Sequence, residues 1–475
     1  MIFFEKYDKL IPLILKREEG KMKKRFSKFF GTRQFYKLAL AVAVPLMMQQ
    51  LITSSVNLVD NLMVGQLGDA ALGGVAAVNR FYIIATYGTN GVLAAAAIFI
   101  AQFFGARDEE RMKQSFRFSI LSAYAIMIPF FILGILAPEG IVHFFTSDPV
   151  IIQLGSAYMR IAAFTFLPMA LSLGISSAMR AVGETKIPLV ISAGAVLTNT
   201  VLNYCLIFGN FGFPRLGVEG AAIATLIARV LEATVLLIVL SKLDLPFKTK
   251  LSQLFHVSGQ LARSILIKAA PLALNEVMWS LGMATLFKFY ATRGPEVMSG
   301  YSIANTIGDI FFVLFGGMAA ATTVLVSQPL GANKLDEARD HGYQLLGFSV
   351  MLSLLFAILM FGSSFVVPHF YQVSPTAKQV AVDVLRIMSV MFWIYMGNTQ
   401  CYFILRAGGD TRSTLFMDSG YMWTVNIPLI CCFTYFTGVD ILVLYVIGQM
   451  TDILKLVIAY SLVRKEKWVV NLTQF

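Results

Sequence analysis

Two acidic side chains sit inside runs that are otherwise apolar. Asp60 lies in SVNLVDNLMVG and Glu276 in PLALNEVMWSLG. An ionisable group at bilayer depth is costly, so it marks a function by default. A carboxylate among Leu58, Val59, Leu62 and Met63 loses hydration, and a bound proton or Na⁺ with neighbouring oxygens relieves that cost. Asn199 and Asn203 are four residues apart and share one helix face. With Thr225 they offer neutral oxygens beside Asp60. The pattern points to cation or proton binding at Asp60, Asn199, Asn203, Thr225 and Glu276, with no metal site beyond Na⁺ at Asp60 or Glu276. A second set, Gln50, Asn57, Asn305, Tyr395 and Asn398, supplies polar groups for a substrate cavity. Plainer roles compete. Asp60 also fits a helix-end cap facing water, and the Asn pair fits interhelical hydrogen bonding.

Catalytic patterns are missing. The chain has no P-loop, no HExxH and no nucleophile elbow, so neither ATP nor a hydrolytic centre drives it directly. Cys205, Cys401, Cys431 and Cys432 all fall in apolar runs without metal-ligand spacing. The reading is no enzyme, no cofactor, no disulfide and no zinc. Arg160 and Arg386 occur in spans 4 and 10, where pairing with carboxylates or helix ends is the simpler role.

The elements that must hold these residues are membrane helices. Apolar residues make up 57% of the chain and charged residues 14%, against roughly 25% charged in ordinary globular proteins. Runs near the 20 apolar residues that cross a bilayer recur throughout. They predict spans over 38–64, 74–101, 116–137, 155–178, 187–208, 219–241, 265–290, 300–326, 343–367, 381–404, 415–436 and 440–463. The fold class is therefore an all-α polytopic membrane protein of twelve helices. The net charge of +11 would suggest nucleic acid in a soluble protein. Here most Lys and Arg fall on the side of the N-terminus, which is the positive-inside bias. That implies cytoplasmic termini, a multi-pass chain in a plasma membrane, bacterial by its compact loops, and no nucleic-acid partner. The organisation reads as a cytoplasmic segment 1–37, an N-lobe 38–241, a cytoplasmic loop 242–264, a C-lobe 265–463 and a cytoplasmic tail 464–475.

The two lobes are copies. Shifting the sequence by 226 residues places Pro45 on Pro271, Asn79 on Asn305, Gly91 on Gly317, Gln102 on Gln328 and Gly105-Ala106 on Gly331-Ala332. The register continues through His143 and His369, Arg180 and Arg406, and Thr185 and Thr411. Six spans per copy give both lobes the same topology, related by a pseudo-twofold along the membrane normal. Such lobes can rock to expose a site first on one side and then on the other. The register fails at the acids: Asp60 falls on Leu286, and Glu276 on Gln50.

Several segments together resemble the multidrug and toxic compound extrusion family. They include FYKLALAVAVPLMMQQLITSSVNLVDNLMVGQLGDAALGGVA, AMRAVGETKIPLVISAGAVLTNTVLNYCLIFGNFGFPRLGVEGAAIAT, PLALNEVMWSLG and ILRAGGDTRSTLF. The similarity extends over roughly residues 36 to 465. It implies an antiporter that expels organic, often cationic and amphipathic compounds such as drugs, in exchange for H⁺ or Na⁺, acting as a monomer. The family's span 1 aspartate corresponds to Asp60. Its span 5 polar pair corresponds to Asn199 and Asn203, its span 6 threonine to Thr225 and its span 7 acid to Glu276. Two departures stand out. Many members carry Asp where this chain has Asn203, and some carry an acid near Tyr395, where this chain has none. A lipid-linked precursor flippase is the rival within the fold, and a receptor or channel the rival from another class. A flippase lumen favours basic groups, whereas Asp60 and Glu276 favour cationic cargo.

Overall fold

The computed structural model describes residues 28–371 and 373–474. The side chains of 56–58, 251 and 369 are also outside the described residues, so the expected segment 1–37 is seen only from residue 28. Twelve long helical segments follow in chain order: α1 Arg33–Gly65, α2 Asp69–Ala106, α3 Glu109–Leu136, α4 Pro149–Ala181, α5 Lys186–Phe208, α6 Gly217–Lys242, α7 Gly259–Ala291, α8 Pro295–Gly331, α9 Leu335–Ser363, α10 Pro375–Ala407, α11 over 411–436, and α12 Ile441–Arg464. Among the described residues, ten are individually long and apolar enough to cross a membrane. The other two carry the exceptions. α7 holds Lys268, Glu276 and Lys288, and α11 is interrupted by π-helical turns at Phe416–Gly420 and Met422–Asn426.

Local signals set the helix ends. Asp108, Asp148 and Asp440 accept hydrogen bonds from backbone N–H groups of the first turns they cap. Gly68 and Gly294, repeat mates, open α2 and α8 at φ of 107° and 115°. A side chain would strain that backbone. Several helices run a turn or more beyond the apolar runs, while others, such as α5 and α12, match them to within a residue. α9 starts at Leu335 and α7 at Gly259, because a helix continues past the bilayer wherever its polar end meets water. Large apolar side chains such as Val190, Leu197, Val201 and Ile358 point outward. A surface that apolar suits lipid, not water.

We call the side where α1 begins the near face. It carries the loops 107–108, 182–185, 243–258, 332–334 and 408–410, together with the C-terminal tail. The two six-helix bundles meet through α2 against α7 and α1 against α8. The contacts obey the pseudo-twofold. Gly91 packs on Ala273, and Gly317 on Met47 and the carbonyl of Ala43. Close backbone approach through glycine is how membrane helices associate. At the near face the crossing is tighter. A Cβ on Gly105 would overlap the Gln328 carbonyl, and one on Gly331 would overlap that of Gln102.

The tail closes this face further. Trp468 is fully buried against Gly342 and Gly408 and donates its indole N–H to Val463. Leu472 N–H donates to Gln102 Oε1 at 2.7 Å, and Arg111 donates to the Thr473 carbonyl at 2.9 Å. Gln328 donates to the Ala181 carbonyl at 2.9 Å. Among the described residues, every hydrogen bond joining one bundle to the other, or the tail to the N-terminal bundle, lies here.

Candidate functional site

Each bundle encloses a cavity. The N-terminal one, of about 400 Å³, lies among α1, α2, α4, α5 and α6. Asp60 projects into it from α1, opposite Asn199 and Asn203 on α5 and Thr225 on α6. Asn203 Nδ2 donates to Asp60 Oδ1 at 2.8 Å. The Asn199 amide satisfies its neighbours when its nitrogen donates to Asp60 Oδ2 at 2.7 Å and its oxygen faces Thr225, 3.3 Å from Oγ1. Two amides thus hold one carboxylate. The Oδ1 of Asn203 is buried without a hydrogen-bond partner. An amide can turn either its NH₂ or its oxygen toward a ligand. The four side chains can therefore stabilise an ionised carboxylate, or turn oxygens toward a proton donor or a small cation.

The C-terminal cavity is larger, about 570 Å³, and lies among α7, α8, α10, α11 and α12. Glu276, Asp309, Asp418, Asp452 and Lys455 line it, with Asn305, Tyr395 and Asn398. Half of its remaining wall is aromatic, including Trp279, Tyr290, Phe312 and Phe403. Lys455 Nζ lies 2.6 Å from Asp418 Oδ1, and Asn275 Nδ2 donates to Asp418 Oδ2 at 3.0 Å. Tyr395 donates to Gln449 at 2.6 Å, Asn398 to the Asp452 carbonyl at 3.0 Å, and Asn305 to the Tyr301 carbonyl at 2.9 Å. Glu276, Asp309 and Asp452 make no side-chain hydrogen bond or ion pair with any described residue. Acids among aromatic faces attract organic cations, by charge and by the ring quadrupole.

The cavities are repeat images with exchanged chemistry. Asn79 and Asn305 line the two at matching places. Asp60 is matched by Leu286, and Ile83 by Asp309. Arg229 of α6 is matched by Lys455 of α12. Both basic groups hold a carboxylate, by different routes. Arg229 pairs at 2.7 Å with Glu232 on its own helix, and Glu232 accepts from Ser192, which accepts from Gln49. In the second bundle Asp418 stands in the place of Ser192, and Asn275 in that of Gln49.

The residues singled out from sequence therefore fall into two groups. Asp60, Asn199, Asn203 and Thr225 share the first cavity. Glu276, Asn305, Tyr395 and Asn398 share the second. Gln50 lines neither and packs beside Gly316 where α1 meets α8. Asn57 is on α1, but its side chain lies outside the described residues. Arg160 and Arg386 sit outside both cavities, near Glu139 at 3.1 Å and Asp383 at 4.0 Å. Sequence reasoning missed Arg229 and Lys455. The signal was present: each is a basic residue four positions after a repeat-matched threonine, Thr225 or Thr451. Asp418 lies inside a π-helical turn of α11 and faces the cavity. Such turns concentrate at functional sites.

Comparison with known proteins adds a family context. The MatE family model matches residues 45–205 and again residues 271–431, the same 226-residue spacing as the internal copy. A probable multidrug resistance protein, YoeA, of Bacillus subtilis is 23% identical, over 91% of this chain and 94% of its own length. A probable multidrug resistance protein, NorM, of Halalkalibacterium halodurans is 25% identical, over 82% of this chain and 86% of its own. A solved outward-facing structure of a multidrug resistance MATE family transporter of the MOP superfamily superposes with a TM-score of 0.82 at 18% identity. That match covers 92% of this chain and 98% of the other.

Proposed function

This chain belongs to the MatE family of membrane transporters, and from that premise we propose that it is an antiporter that exports organic cations in exchange for H⁺ or Na⁺. The observation that carries the proposal is the setting of Asp60. It is a lone carboxylate in a membrane-embedded cavity, held by two amides, and one of those amides keeps a buried oxygen unpartnered. The coupling ion binds there, with oxygens from Asn199, Asn203 and Thr225 turned toward it. Na⁺ is written here as cargo, carried down its gradient. Cargo occupies the acid-lined, aromatic C-lobe cavity, where Glu276 contributes charge.

With the basic near face cytoplasmic, the near-face crossing of α2 and α8 is the cytoplasmic gate. The N-lobe 38–241 and C-lobe 265–463, joined by the loop 242–264, rock to open and close it, in the manner of repeat-built transporters. Ion binding at Asp60 from outside changes the charge the N-lobe buries. Differential affinity of that ion for the two arrangements then drives the return. The protein works as a monomer in a bacterial inner membrane with both termini cytoplasmic. A lipid-precursor flippase would need free basic groups in the lumen. The basic residues of the two cavities, Arg229 and Lys455, are each neutralised by a carboxylate.

The test is efflux of ethidium from cells or proteoliposomes, with the Na⁺ and proton gradients collapsed separately. Loss of efflux with one gradient identifies the ion. Undiminished efflux with both collapsed refutes the antiport reading.

A further inference from the structure

The C-lobe cavity holds one ammonium group of its own, on Lys455, and four carboxylates. Only Asp418 is paired with it. No three of the acids converge on a point that could hold a metal ion, among the described residues. The negative charge is therefore spread around the wall, and suits a body larger than a bare ion. Two further side chains mark the cavity as a ligand site. Asn398 is 4% exposed and its Oδ1 has no partner, and Tyr402 is 8% exposed with an unpartnered hydroxyl. Both line the cavity. Buried polar atoms without partners are rare, and each calls for a ligand or another explanation.

The N-lobe image shows what is special about Lys455. Arg229 and Glu232 are three residues apart on one helix, so their pairing survives any movement of α5 against α6. Lys455 reaches instead across to α11, where Asp418 sits in a π-helical turn. Its side chain is 13% exposed and that of Asp418 19%. Asp452 lies three residues before Lys455 on the same helix face, without a partner of its own. A lysine stem is flexible and its ammonium is a compact charge. It can leave Asp418 for Asp452 with no helix moving.

We propose that Lys455 is a tethered competitor: an arriving organic cation displaces its ammonium from Asp418, so Lys455 sets how much positive charge the cavity accepts. The inference rests on the reading that this cavity takes organic cations. Binding exchanges one ion pair for another, and the displaced ammonium moves to Asp452.

Equilibrium binding of ethidium, a monocation, and propidium, a dication, to the purified full-length protein in nanodiscs tests this, with Nile red as a neutral probe. Lys455→Met is expected to tighten ethidium about tenfold and propidium by more. Asp418→Asn removes the carboxylate that the arriving cation takes over, and is expected to weaken both. Lys455→Arg keeps the charge but grips a carboxylate through a fork, and is expected to weaken ethidium while leaving the fold intact. Nile red affinity stays constant throughout. Unchanged dye affinities in Lys455→Arg and in a folded Lys455→Met overturn the role of Lys455 while leaving cation binding in place. If Lys455→Met does not fold, Lys455→Arg alone decides. Wild-type protein that binds neither dye overturns both this role and the cation reading beneath it.

Discussion

Asn203 Nδ2 lies 2.8 Å from Asp60 Oδ1, while the oxygen of the same amide is buried with no partner. One rotation of that amide exchanges a donor to the carboxylate for an acceptor beside it. Under the proposed coupling role of Asp60, Asn203 is the pivot between the empty and the ion-bearing site. Asn203→Asp places a second carboxylate there. We expect Na⁺ affinity to rise on the order of tenfold, since ligand charge count tunes cation binding. Sodium-22 binding to the purified protein checks it. Unchanged Na⁺ affinity would remove Asn203 from the ion site.

Arg229 and Glu232 form a 2.7 Å pair with Glu232 buried. Arg229→Met leaves the buried Glu232 carboxylate without its cation, at a cost of roughly 3–5 kcal/mol, whereas Glu232→Gln leaves a guanidinium that is 36% exposed and costs less. Arg229→Met and Glu232→Gln are each expected to lower the thermal midpoint clearly, and the double variant to recover most of the loss. Equal, additive losses would mean the pair is not the energetic unit described here.

Gly105 and Gly331 meet the facing carbonyls of Gln328 and Gln102 with no room for a Cβ. Alanine at either site should cost the closed near face about 1–3 kcal/mol through overpacking. The repeat symmetry adds a stricter expectation, that the two variants behave alike. Spin-label distances across the near face should lengthen in both.

The tail is held to the N-terminal bundle by Gln102 and Arg111 and to the other bundle by the Trp468 pocket and Asn471, which donates to the Gly331 carbonyl. Deleting residues 466–475 removes those ties. We expect faster labelling of a cysteine placed at position 181 by a membrane-impermeant thiol reagent from the near face, in a background without the four native cysteines. Labelling no faster than in the full chain would assign the tail to folding alone.

Much of this arrangement was legible in the residues. Apolar runs gave the helices, and the matched glycines and glutamines gave the pseudo-twofold that Gly105 and Gly331 obey in space. Asp60 stood out because a charge in SVNLVDNLMVG has no cheap explanation. Its partners followed from helical spacing and from the family resemblance. Lys455 and Asp418 were hidden for a physical reason. They neutralise one another across two helices distant in sequence, and periodicity along one helix cannot report that pairing. The π-helical turn that aims Asp418 inward is likewise a product of packing on α7, through Asn275 and Ser419. Gln50, the repeat match of Glu276, lies beside Gly316 of α8 where the two bundles meet.

The central claim is that ion binding at Asp60 drives export. It is tested most directly by Asp60→Asn in proteoliposomes, measuring ethidium transport under an imposed proton or Na⁺ gradient alongside ethidium binding. The account predicts wild-type binding, because the cargo cavity lies in the other bundle, with gradient-driven transport abolished. Full gradient-driven transport by this variant would contradict it.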